Sequence, residues 1–366
     1  MNPKRIISID VLRGLTIFLM IIVNTPGSWS HVYAPFLHAK WHGCTLTDLV
    51  FPSFLFVVGL SMSQSFRNLN TADSGKLMRK ITIRGGMIFL IGVLLNWFPF
   101  YLTPLSELRI FGVLQRIALS FFGAGILIVL LKKRNWLIGA AVLLLFLHWG
   151  ILYFFGGSDP YSLEHNIGRH LDNFLVGEKH VYGGFGIPFD PEGLLGTLTG
   201  MSQVIIGYLT GKYLFENQEN TNKRILHVLY FSVGLFVIAK LWNFILPINK
   251  PLWTGSYVIY TSAIVTALLL VLIQIVDKRK MVKWAWIFRV FGKNPLFSYI
   301  LSGVFVKLFL QVFKWGDTNL YAWLYSDVFS AIFSPKLASF AFALCFTMFV
   351  WLFAYVLHRR NIIVKV

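Results

Sequence analysis

Residues 135–155 read NWLIGAAVLLLFLHWGILYFF, directly after Lys132, Lys133 and Arg134. The stretch holds no Asp, Glu, Lys or Arg. About 20 apolar residues in a helix cross the hydrocarbon of a bilayer. Backbone N–H and C=O groups find no partner in lipid, so such a segment must bond within itself as a helix. The basic triplet before it then marks a cytoplasmic flank.

Working outward, similar runs recur at 6–25, 46–66, 80–98, 110–131, 193–213, 224–246, 253–276, 292–312 and 333–357. The 366 residues are 56% hydrophobic and only 13% charged, against roughly 25% charged in soluble domains. A soluble fold of this length could not hide so much apolar surface. A β-barrel would show short alternating strands, which this sequence lacks. The first run, Ile6 to Val23, has the basic start of a signal peptide. It carries Asp10 and Arg13 and no clean small-residue cleavage site, so it reads as a retained first helix. Cys44 and Cys345 lie far apart and read as packing residues rather than a disulfide.

The net charge is +18. On a soluble chain that would raise nucleic acid as a partner. Here the cations fall between the apolar runs. Lys4 and Arg5 precede the first run. Arg67, Lys76, Arg79, Lys80 and Arg84 follow the second, Lys132 to Arg134 the fourth, and Lys212, Lys223 and Arg224 the sixth. Lys278, Arg279, Lys280 and Lys283 follow the eighth, and His358, Arg359 and Arg360 the last. Every second connection is basic. The sequence therefore predicts an all-α polytopic membrane protein of about ten transmembrane helices, both termini cytoplasmic. It reads as a single domain over 1–366, with membrane lipid as its surroundings and no nucleic acid as partner.

Two outer connections stand out, 26–45 and 156–192. Both are long, and their aromatic content argues against disorder. They are expected to form part of a functional site.

Ionisable groups inside spans are costly and mark candidate sites. Asp10 and Arg13 share one helical face; they form either a structural ion pair or part of a site. Asn24 closes the first helix, as a cap or a functional amide. His38 lies ten residues before Asp48, and together they could act as a base and its orienting carboxylate. Asp48 could equally be a first-turn acid complementing the helix dipole. Gln115 and Arg116 lie about two turns inside a span, where an arginine needs a carboxylate or phosphate. Asp190 and Glu192, flanking Pro191, could supply that carboxylate, could line a site, or could open the next helix. By topology Asn24, His38, Asp48, Arg116, Asp190 and Glu192 map to the outer half of the membrane. His31, His38 and His42 match no closed zinc pattern, so no metal is expected.

SIDVLRG (8–14), VNTPG (23–27), HAKWHGCTLTDLVFPSFLFVVG (38–59), RIFGVLQRIAL (109–119), FDPEGLLGTLTG (189–200), PINKPLWTGSYVIYTSA (247–263) and FGKNPLFSYIL (291–301) run in order along the chain. This set resembles the heparan-α-glucosaminide N-acetyltransferase family, including its bacterial transmembrane acyltransferase relatives. The resemblance implies transfer of an acetyl group from cytoplasmic acetyl-CoA, a co-substrate, to an amino sugar such as glucosamine, or a glycan, on the far side. It implies a compact bacterial member in the inner (cytoplasmic) membrane. His38 aligns with the family's reactive histidine, with Asn24 and Asp48 beside it in the catalytic set. Arg116, with Gln115, aligns with the family's buried arginine; both, with Arg13, are expected to bind the donor. Asp190 and Glu192 of the DPEG string, together with Trp41, are expected to bind the acceptor. His42 stands where relatives often carry Asn, and no role is transferred to it. The alternative is a transporter of amino sugars or cell-wall sugars, although no inverted repeat is present. The sequence leaves open whether the chain forms a homodimer, and whether transfer is direct or runs through an acetyl-histidine.

Overall fold

The computed structural model describes residues 6–66, 74–215, 221–316 and 318–364. Lys4, Arg5 and Arg67 of the basic connections lie outside the described residues. In chain order the α-helices are α1 (Ile7–Asn24), α2 (Val50–Ser65), α3 (Ser74–Trp97), α4 (Val113–Leu131), α5 (Arg134–Phe155), α6 (Ile167–Val176), α7 (Thr197–Phe215), α8 (Thr221–Trp242) and α9 (Gly255–Leu272). They continue with α10 (Trp286–Lys293), α11 (Pro295–Lys307), α12 (Leu320–Trp323) and α13 (Pro335–Arg359). The extended backbone among the described residues is one short antiparallel pairing of Lys314–Trp315 with Thr318–Asn319. Neither Cys44 nor Cys345 forms a disulfide.

Eight of these helical stretches are long and apolar enough to cross a membrane. They are α1, Thr47–Ser65, α4, α5, Asn222–Trp242, Gly255–Lys278, Pro295–Val312 and α13. The chain is thus an all-α, multi-pass membrane protein. The other two expected spans are also helices, α3 and α7, but both are more polar. α3 opens with Lys76, Arg79, Lys80 and Arg84. α7 carries Thr199, Ser202 and Gln203, all fully buried. Their side chains bond inside the protein: Thr199 Oγ1 to Trp253 O at 2.6 Å, Ser202 Oγ to Ala141 O at 2.9 Å and Gln203 Nε2 to Thr261 Oγ1 at 2.9 Å. A helix whose polar side chains are satisfied by neighbouring helices need not be apolar.

The chain groups into two compact units. The first is discontinuous in sequence: residues up to 39, residues 45–51, and residues from 271 onward. Within it α1 packs chiefly on α10, and both touch α13. Glycines permit the approach of α1 and α10. A Cβ on Gly14 would stand 1.6 Å from Phe288 O, and one on Gly292 2.0 Å from Asp10 O. The ninth span was expected to start at 292. Instead α10 ends at Lys293 and α11 opens at Pro295, where a missing N–H costs no helical hydrogen bond.

The second unit comprises residues 40–44 and most of 52–270. Here α3 lies on α4, and α7 packs against both α4 and α5. The long connection 156–192 is not all loop, because it contains α6. Asn166 caps α6 by accepting from Arg169 N at 2.9 Å, as an N-cap asparagine does.

Candidate functional site

In the first unit, His38 and Asp48 meet. Nδ1 of His38 lies 2.6 Å from Asp48 Oδ1. The carboxylate is 1% exposed and the imidazole 44%. The other carboxylate oxygen, Oδ2, accepts from Ala39 N, Thr45 N and Thr45 Oγ1, each at 3.0 Å. Three donors on Oδ2 fix the plane of the carboxylate and commit Oδ1 to the histidine. An ionised carboxylate only accepts, so Nδ1 carries the hydrogen and the ring's lone pair sits on Nε2. That tautomer suits a base or a nucleophile.

Asn24 is the last residue of α1, and its Nδ2 donates back to Met20 O at 2.8 Å. Arg13 stands 3.6 Å from Asp10 and donates through Nη1 to Gly292 O at 3.1 Å. The expected pairing of Asp10 with Arg13 is therefore present. The loop histidines go to separate partners: His31 Nδ1 to Tyr325 OH and His42 Nδ1 to Asn249 Nδ2. Burial lowers the pKa of His42, with the charge of Asp159 opposing it.

In the second unit, Arg116 is 1% exposed. The sequence left Asp190 and Glu192 as its candidate partners. Its hydrogen bond goes instead to a backbone oxygen, from Nη2 to Gly193 O at 2.7 Å, and its guanidinium lies 4.8 Å from the Trp253 ring centre. Nε and Nη1 of Arg116, and Nε2 of Gln115, are buried donors with no partner among the described residues. Buried N–H groups rarely stay unsatisfied. Donors of this kind suit the oxygens of an anionic or carbonyl group.

The two acids belong to Arg109, a residue that the sequence reading passed over. Its Nε and Nη2 grip Asp190 at 2.8 and 2.7 Å, and Nη2 also reaches Glu192 Oε2 at 2.7 Å. Tyr182 N and Glu192 N complete the shell of Asp190 at 3.1 and 3.0 Å. All accepting directions of Asp190 are thus used inside the protein, whereas Glu192 Oε1 takes no hydrogen bond among the described residues. Burial works against the charge of Arg109, but the hydrogen bond to Asp190 and the charges of Glu192 and Asp190 outweigh it and raise its pKa. The signal that could have exposed Arg109 is its place: a lone cation just before a span, in an otherwise non-basic connection.

Asp190 to Gly193 form a turn rather than a helix start, since α7 begins only at Thr197. Asp172 of α6 holds this turn from another side, accepting from Leu194 N at 2.9 Å. A Cβ on Gly193 would stand 1.7 Å from Asp172 Oδ2. Gly193→Ala is therefore expected to destabilise by about 1–3 kcal/mol through overpacking, read as a lower thermal midpoint in detergent. Burial pushes the Asp172 carboxyl up to about 7, opposed in part by the Leu194 N–H. A carboxyl raised in the folded state favours folding below its unfolded pKa, and that contribution is lost as pH rises towards 7. Asp172→Asn should flatten this fall in stability between pH 4 and 7 (about the span from the unfolded to the folded value). An unchanged slope would show that another group sets it.

Trp41 sits in the same unit. Its Nε1 donates to Tyr161 O at 2.8 Å, and its ring meets Phe185 and Phe189 edge to face at 5.9 and 5.6 Å. The expected acceptor residues Trp41, Asp190 and Glu192 are thereby joined through one aromatic and hydrogen-bonded segment.

Residues 5–158 match the family model described as heparan-alpha-glucosaminide N-acetyltransferase, catalytic. The human heparan-alpha-glucosaminide N-acetyltransferase is 29% identical over 375 residues, covering 87% of this chain and 55% of that protein. The mouse protein of the same name is 28% identical over 374 residues, covering 86% and 56%. The chain spans about half the length of these curated relatives.

Proposed function

Starting from the chain's likeness to heparan-α-glucosaminide N-acetyltransferases over most of its length, we propose that it is a membrane-embedded N-acetyltransferase. It moves an acetyl group from acetyl-CoA to the amino group of an amino sugar or glycan. The observation that carries this reading is the His38–Asp48 pair, with the carboxylate held by Thr45 and Ala39 and the lone pair placed on His38 Nε2.

Acetyl-CoA supplies the activated acyl group as a thioester. The protein's part follows from its residues. An amino sugar is mostly an ammonium at neutral pH and must lose a proton before it can attack. His38 Nε2 takes that proton while Asp48 stabilises the imidazolium. The amine nitrogen bonds to the carbonyl carbon and releases its second proton to solvent, the C–S bond breaks, and the first proton passes from His38 to the departing thiolate. Asn24 Nδ2 serves as a donor to the carbonyl oxygen, which gains charge as the amine adds. The Nε and Nη1 of Arg116 and the Nε2 of Gln115 bind donor oxygens, and Arg13 attracts the CoA phosphates. Glu192, through Oε1, and Trp41 recognise the acceptor, with Asp190 shaping their turn. The connection 26–45 contributes His38 and Trp41, and the connection 156–192 contributes Asp190 and Glu192. Donor entry is cytoplasmic, as are both termini, in a bacterial inner membrane.

The test is purified protein in nanodiscs with acetyl-CoA and glucosamine. The expected result is N-acetylglucosamine by mass spectrometry and an equal amount of free thiol. A burst of thiol without acceptor, with acetyl recovered on His38, identifies a double displacement; its absence identifies direct transfer. Glucosamine uptake into proteoliposomes without acyl donor, and no product with it, would overturn the reading in favour of transport.

A further inference from the structure

The short helix α6 is amphipathic in an inverted sense. Ile167, Leu171, Phe174 and Leu175 recur at the spacing of one helical face. In a soluble surface helix that face would be turned inward. Here the protein is held by the other side. Gly168 and Asp172 are buried, and Asp172 Oδ1 takes the Leu194 N–H. Arg169 Nε and Asn173 Nδ2 donate to Pro188 O at 3.0 and 3.4 Å. On the apolar side Phe174 is 85% exposed and Leu175 50%. A helix that binds its own protein through polar groups and turns its apolar arc outward is built for apolar surroundings.

The neighbouring element says what those surroundings are. α6 packs against α5, the span with which the sequence reading began. The exposed side chains of α5 towards its end are Phe146, Leu147, Tyr153, Phe154 and Phe155. Both helices that meet here thus expose large apolar side chains. Aromatic rings gather where spans leave the hydrocarbon.

We propose that α6 is an interfacial helix, its Ile167–Leu171–Phe174–Leu175 face seated in the apolar margin of the bilayer at the Phe155 end of α5. Asp172 on the opposite face then ties the turn at residues 190–194 to the membrane surface.

Spin labels on the full chain in nanodiscs test this, with Cys44→Ala and Cys345→Ala as background. A label at Phe174→Cys should collide several-fold more readily with oxygen, which concentrates in hydrocarbon, than with a water-soluble nickel chelate. Leu143→Cys on the outward side of α5 gives the lipid reference, and Glu178→Cys the aqueous one. Leu175→Cys repeats the measurement should the Phe174 variant fail to fold. Nickel access at 174 and 175 equal to that at 178 would overturn the proposal. So would shielding from both reagents, and the case where dilution with unlabelled chain relieves spin broadening would assign the face to a second copy.

Discussion

Asp48→Asn is expected to lower the proposed acetyl transfer by roughly a thousand- to ten-thousand-fold, the range seen when a base loses its orienting acid. The reason is a hydrogen-bond polarity that the backbone enforces. Oδ2 of Asp48 faces three donors: Ala39 N, Thr45 N and Thr45 Oγ1. The two main-chain groups can only donate, so the amide oxygen of an asparagine at this position must turn to them. Its NH2 then points at His38 Nδ1. That nitrogen becomes the acceptor, the ring hydrogen moves to Nε2, and the base is lost although the side chain keeps its shape. The expected signature is a fall in turnover with little change in acceptor KM, measured by product formation in nanodiscs. Turnover within tenfold of the parent protein (well under the loss expected for a misplaced base) would remove His38 from the chemistry.

Arg109→Leu is the second large effect, and it falls on stability. Asp190 is fully buried at its side chain and Glu192 is 11% exposed. Removing their cation leaves an uncompensated buried carboxylate, at a cost of about 3–5 kcal/mol. Arg109→Lys should recover only part of this, because an ammonium cannot reproduce the fork that grips both Asp190 oxygens. Adding Asp190→Asn to Arg109→Leu should restore part of the loss by removing the stranded charge, although the new amide NH2 must then face one of two main-chain donors, Tyr182 N or Glu192 N. Thermal unfolding in detergent reads all three. Equal midpoints for the single and double variants would show that the charge is compensated elsewhere.

The spans were legible because hydrocarbon imposes one rule on every residue of a crossing helix. Each expected span coincides with a helix, including α3 and α7, the two more polar ones. The His38–Asp48 pair was legible for a different reason: the residues lie only ten apart, across the junction of one connection with the next span, so few chain conformations keep them apart. Arg109 was not. Its partners lie 81 and 83 residues away, and its place as a lone cation in a non-basic connection does not say which acids it will find. The same distance effect made Asp190 and Glu192 candidate partners of Arg116, a neighbour only seven residues further on. α6 escaped because its apolar spacing is four residues set among glycines, prolines and charges. Asp172 went with it, since its reach to Leu194 needs that helix.

The first unit has a consequence for how the protein is made. α1 leaves the ribosome before α10, carrying Asp10 and Arg13 into the membrane. The surface it fits, where Gly14 meets Phe288 O and Gly292 meets Asp10 O, is encoded more than 270 residues later. Until then α1 must wait among lipids or in the keeping of the insertion machinery. The second unit, whose sequence lies almost wholly in between, can form during that wait. α1 is thus packed only after α10 is made, and premature termination anywhere before α10 leaves an orphan helix with its Gly14 surface uncovered, a ready mark for quality control.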